Sequence, residues 1–167
     1  MRLFAVCGIV LFLSACGGDN NNNNQNTLPE TFTATLSPAG EFPPVTNAPN
    51  ATGTATLVND GTTTTYTVTA NGLTGPVAAS HIHLITNPGS AGGVIVPFPS
   101  AAGQPATNAR ITGTFTEANI AAGVGAPAGQ KLTYDQLMAA LRAGNVYANV
   151  HTGTNGGGEI AGILRKQ

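Results

Sequence analysis

The sequence predicts an all-β fold, mostly antiparallel: a β-sandwich or Greek-key barrel of about seven or eight strands, with one short helix near 133–143. Three observations carry this. Threonine alternates with apolar residues at period two through several segments. Gly, Asn, Asp and Pro punctuate the chain between them. A single stretch shows helical spacing with its own start and stop signals.

The elements follow in chain order. Thr31, Thr33 and Thr35 alternate with Phe32, Ala34 and Leu36. Thr52, Thr54 and Thr56 alternate with Gly53, Ala55 and Leu57. Thr63, Thr65, Thr67 and Thr69 alternate with Thr64, Tyr66, Val68 and Ala70. Successive side chains of a strand point to opposite faces, so each segment buries one face and shows threonine on the other. Threonine suits that role because its branched Cβ favours strands while its hydroxyl meets water. Asn59-Asp60-Gly61 separates two of these runs and signals a hairpin, since Asp-Gly tolerates the positive φ of a type I′ turn.

Further strands are expected at 78–86, 145–152 and 159–165, and Ile111, Gly113 and Phe115 alternate with Thr112, Thr114 and Thr116. Residues 87–108, rich in Pro and Gly, read as a long loop around a short strand at 94–96. Between prolines it carries Val94, Ile95, Val96 and Phe98, a candidate contact surface, or else side chains that pack back onto the fold. For the helix, Thr133 with Gln136 fits a capping box, Leu137, Met138 and Leu141 share a face, and Gly144 ends it. Asn155-Gly156-Gly157-Gly158 joins the last two strands.

The beginning of the chain reads differently. Arg2 precedes an apolar run from Leu3 to Ala15, which is a secretory signal in form and too short for the roughly 20 apolar residues of a spanning helix. Leu13-Ser14-Ala15-Cys16 resembles the lipobox of bacterial lipoproteins, which implies cleavage before Cys16 and lipidation of its thiol. The expected organisation is therefore a lipoprotein signal peptide at 1–15, a lipidated cysteine with an Asn-rich disordered tether at 16–29, and a β domain at 30–167. The protein is then anchored by lipid in the cell envelope, outside the cytoplasm, and Gly17 after the cysteine resembles the outer-membrane sorting pattern of Gram-negative cells.

Charged residues make up 8% of the chain, far below the roughly 25% usual for soluble proteins. Without residues 1–15, five basic side chains face seven acidic ones. No basic patch exists, which argues against nucleic acid as a partner. Cys7 leaves with the signal and Cys16 carries lipid, so no disulfide forms within the mature chain.

Several motifs stand in order: Ala79-Ser80-His81-Ile82-His83, a glycine-rich loop, Ile111-Thr112-Gly113-Thr114-Phe115, the helix, then Tyr147-Ala148-Asn149-Val150-His151-Thr152 and Gly158-Glu159-Ile160-Ala161-Gly162. Together they resemble the CHRD domain, first recognised in chordin and common in secreted bacterial proteins. The resemblance covers nearly all of 31–165 and implies a module of secreted proteins with little settled biochemistry. One departure is Ala161, where the family often carries a basic residue.

All three histidines fall in these motifs. His81 and His83 are two apart on a strand and share a face; Tyr147, Asn149 and His151 share a face of another. The hairpin between His151 and Glu159 would bring that carboxylate close. Three imidazoles and one carboxylate suit a single Cu²⁺ or Zn²⁺ ion; the plainer reading is a buried hydrogen-bond network joining strands. Separate copper and zinc ligand sets, as in a dismutase, need more than three histidines. No Gly-x-Ser-x-Gly, phosphate loop or His-Glu-x-x-His occurs, and Ser80 and His81 face opposite ways as strand neighbours. Glu41, Asp60, Glu117 and Asp135 read as solvated or capping residues. The functional expectation is a non-enzymatic, lipid-anchored envelope module that binds or scaffolds an extracellular macromolecule, or alternatively a metal-handling protein using His81, His83 and His151.

Overall fold

In the computed structural model, residues 28–87, 89, 90, 92–122 and 131–167 are described. The expected signal, Cys16 and most of the tether lie outside them. Nine strands form two antiparallel sheets that pack as a sandwich. The larger sheet holds β1 (Glu30–Leu36), β2 (Thr52–Asn59), β3 (Thr64–Asn71), β6 (Ala109–Phe115) and β9 (Arg165–Lys166), in the order β6-β3-β2-β1-β9. The smaller holds β4 (Val77–Leu84), β5 (Val94–Pro97), β7 (Val146–Thr152) and β8 (Ile160–Ile163), in the order β5-β4-β7-β8.

The threonine alternation is realised as predicted. Phe32, Leu36, Leu57, Val68, Ile111 and Phe115 are buried in the core. On the opposite side, register aligns Thr33, Thr56, Thr67 and Thr112 across four strands, and Thr35, Thr54 and Thr69 in the next row. Thr54 and Thr69 share a hydroxyl–hydroxyl bond of 2.8 Å.

Asn59 pairs with Thr64, so the first hairpin turns through residues 60–63 rather than through two. Asp60 explains the longer turn: its Oδ1 accepts from the backbone N–H groups of Thr62 and Thr63. Gly61 takes the positive φ, at 108°.

The last predicted strand, 159–165, divides in two. Leu164, fully buried, bonds its N–H to Val146 O, and the chain then leaves the small sheet for the edge of the large one beside β1. That division makes nine strands where seven or eight were expected.

α1 (Tyr134–Arg142) begins as the sequence predicts. Thr133 Oγ1 accepts from Gln136 N, and Gln136 Oε1 accepts from Thr133 N. Tyr134, Leu137, Met138 and Leu141 are buried. Tyr134 also opens a polar chain through the fold. Thr64 donates to the Tyr134 hydroxyl, which donates to Asn59 Oδ1. Asn59 Nδ2 donates to Glu30, whose buried carboxylate also receives Arg142 and Lys166.

The apolar side chains of 94–98 pack back onto the fold, the second of the two expectations for them. Ile95, Val96 and Phe98 are buried and Val94 is half-buried. Phe98 stacks on Tyr66 with ring centroids 3.9 Å apart. β5 pairs with β4, and burying three large apolar side chains outweighs showing them to water.

Candidate metal centre

β4 and β7 pair antiparallel, with His81 opposite Asn149, His83 opposite Tyr147 and Ala79 opposite His151. Alternation puts these six on one side of the small sheet and Ile82, Ala148 and Val150 on the core side. The histidine side is nonetheless covered: all of β7 is buried. Phe42 lies edge-on to Tyr147, with centroids 5.4 Å apart. The loop before β5 and the glycine loop after β7 reach the imidazoles through Gly92 and Gly156.

The two deeper imidazoles are held alike. His83 Nδ1 donates to Gly92 O at 2.9 Å, and His151 Nδ1 donates to Gly156 O at 3.0 Å. A ring fixed by one N–H on a carbonyl presents its other nitrogen as an acceptor. His151 Nε2 lies 3.1 Å from His81 Nδ1, and His83 Nε2 lies 3.2 Å from Asn149 Oδ1. His83 also stacks flat on Tyr147, with centroids 4.7 Å apart and planes within 7°. One nitrogen from each histidine falls within 4.8 Å of the others.

Burial keeps these rings neutral. His83 is 7% exposed and His151 9%. Burial, reinforced by the charges of His151 and His83, pushes His81 down to about 4. Burial also lowers His83 and His151, against the hydrogen bonds to Gly92 and Gly156. Neutral imidazoles are the form that ligates a metal.

Glu159 does not join them. It sits in a bend just before β8, outside the strand alternation, and its carboxylate turns away. It accepts from Thr74 N and Oγ1, Thr152 Oγ1 and Asn155 Nδ2, and so ties the β3–β4 loop and the β7–β8 loop to the end of β7. Burial alone would raise its pKa, but these donors outweigh it and hold the group low.

Glu41, expected on the surface, is 3% exposed. Its segment wraps over the histidine side of the small sheet, bonded to β8 through Ser37 and Ala161. A Cβ on Gly158 would collide with its carboxyl. The carboxyl meets the N–H of Phe42 and the amide of Asn149, and Oε1 has no partner among the described residues. Burial pushes it up to about 7. Together with Glu41, burial also pushes Tyr147 up to about 12. Ala161 lies directly across from Asn149 and is buried. The other three acidic residues behave as expected, with Asp60 in its turn, Glu117 accepting from Tyr134 N and Asp135 in the helix's first turn.

A model of the CHRD domain family matches residues 32–164, nearly the whole described domain. The chain belongs to the CHRD domain family. No curated protein and no solved structure matches it. CHRD domains are in general non-enzymatic modules, and both motifs behind the resemblance, the His-x-His strand and the Tyr-x-Asn-x-His-Thr strand, line the cluster just described. Among the described residues, no helix is long and apolar enough to cross a membrane.

Proposed function

We propose that this CHRD protein is a non-enzymatic, lipid-anchored envelope module that holds one transition-metal ion, copper or zinc, at His81, His83 and His151. The convergence of the three nitrogens within 4.8 Å carries the reading. Donors about 2.0–2.1 Å from a tetrahedral ion lie about 3.3 Å apart, and the His81–His151 pair is at 3.1 Å. The two deep rings have their remote N–H on backbone carbonyls, the outer-shell arrangement that fixes a ligating nitrogen. An all-imidazole nitrogen set without thiolate suits Zn²⁺ and Cu²⁺ rather than Mg²⁺ or Ca²⁺. His81, half-buried, supplies the route to solvent. A membrane anchor at Cys16 would keep such a site in the envelope.

The metal reading is preferred to macromolecule binding because Ile95, Val96 and Phe98 are in the core. The test is metal content by mass spectrometry of the chain prepared without a histidine tag, with Cu²⁺ and Zn²⁺ titrations. The expected result is one tightly held ion per chain, lost in H83A. Full-length protein that stays metal-free after loading, or an H83A variant with unchanged stoichiometry, sinks the reading.

A further inference from the structure

The outward face of the larger sheet is polar, open to solvent and without acid. Strand register fixes which side chains belong to it. Every outward position of β1 is threonine, and threonine fills most of those on β2, β3 and β6. The exceptions are Val58, Asn71 and two arginines: Arg110 on β6, opposite Thr69, and Arg165 on β9, opposite Thr33. All of these residues are exposed or half-buried, and no carboxylate stands among them.

The two arginines are uncommitted. Arg142 and Lys166 clasp Glu30, whereas neither Arg110 nor Arg165 has an ion-pair partner among the described residues. Each closes one end of a trough. A depression of about 470 Å³ runs from Arg110 past Thr69 to Thr54. A second, of about 560 Å³, runs from Thr54 past Thr35 to Arg165. Thr54 belongs to both, so the trough crosses the sheet from one flank to the other. Register puts Arg110, Thr69, Thr54 and Thr35 in one row across four strands, with Arg165 one row over. Four strand spacings separate the arginines, about 20 Å. The Arg165 guanidinium lies against Gly144, where any side chain would push it aside.

A hydroxyl both donates and accepts, so a row of threonines matches a ligand that itself carries many hydroxyls. A guanidinium fork matches a carboxylate, through two parallel N–H···O bonds. Cations at both ends and no acid between them select a ligand with spaced negative charge. The face offers no aromatic side chain on which a nucleic-acid base could stack. Val58 is its one apolar outward side chain on these strands, too little to enter a bilayer. We propose that this trough is a binding site for an extended, carboxylated polysaccharide laid across the strands. Its hydroxyls meet the threonine row and its carboxylates meet Arg110 and Arg165. The site is on the other sheet from the histidine centre and needs no metal ion.

The deciding experiment titrates the full chain with alginate oligomers, which are carboxylated, and with uncharged dextran and single-stranded DNA for comparison. Calorimetry gives affinity, and amide shifts in nuclear magnetic resonance give the location. The proposal expects alginate to bind more tightly than dextran or DNA, with shifts centred on Thr54 and reaching Arg110 and Arg165. Added salt should weaken it. R110Q and R165Q should each weaken binding about two- to fivefold, as loss of an exposed charge pair does, and together about tenfold. T54V should weaken it too, by removing the hydroxyl common to both depressions. K131Q removes the same charge away from this face and should leave affinity unchanged. No binding of alginate, or shifts confined to other parts of the fold, overturns the proposal. So does K131Q behaving like R110Q, which would make net charge the cause. Dextran bound as tightly as alginate removes the role of the arginines, and DNA bound as tightly makes the face a general anion surface; either result overturns it. The shift map needs no variant, so a poorly folding substitution cannot blunt the test.

Discussion

Glu41 is a buried acid whose proton is tied to the folded state. Its pKa is raised in the folded chain, from 4.5 to about 7. The native state therefore keeps a proton that the unfolded chain releases. The stability linked to that proton is fully present below the unfolded value and is lost as pH rises through about 7. Urea unfolding of E41Q should give a protein up to about 3 kcal/mol more stable than wild type above pH 8, the difference closing near pH 4.5. Equal stabilities at both ends of that range would mean the carboxyl is hydrated. Glu30 shows the reverse sign. Hydrogen bonds from Arg142, working against burial and joined by Lys166 and Asn59, hold it down at about 2. Its contribution is present above the ordinary carboxylate range and lost as pH falls from about 4.5 to about 2. E30Q should flatten the acid limb of the stability profile there, and an unchanged limb would place the acid transition elsewhere.

At the scale of elements, what could be read in advance was what local spacing determines. Period-two threonine located β1, β2, β3 and β6, and Thr133 with Gln136 located the start of α1. T133A should therefore lower stability by about 1 kcal/mol in chemical denaturation, the usual loss for a capping side chain. No change would mean that burial of Leu137, Met138 and Leu141 alone holds the first turn. Side-chain alternation also placed His81 with His83, and Tyr147 with Asn149 and His151. Glu159 was misplaced because alternation stops at the bend before β8, a break that its glycine-rich neighbours hint at without locating. Glu41 was illegible. No motif surrounds it, and its burial depends on a segment that follows β1 folding over β7, more than a hundred residues later in the chain. The 94–98 run left two outcomes open, because an apolar run does not say which surface it will meet, and burial chose packing back onto the fold.

Across the whole molecule, the two sheets divide the work. The larger shows water a field of threonine hydroxyls and carries little charge. The smaller keeps its outer side covered, and the covering loops are what assemble the histidine centre. A rigid strand pair sets the donors, and backbone carbonyls from two loops orient them. β1 lies inside the larger sheet, with β2 on one flank and β9 on the other, and its first residue, Glu30, is gripped by Arg142 and Lys166. Whatever precedes Glu30 therefore enters the fold in the interior of the larger sheet and at an ionic clasp, not along a free edge.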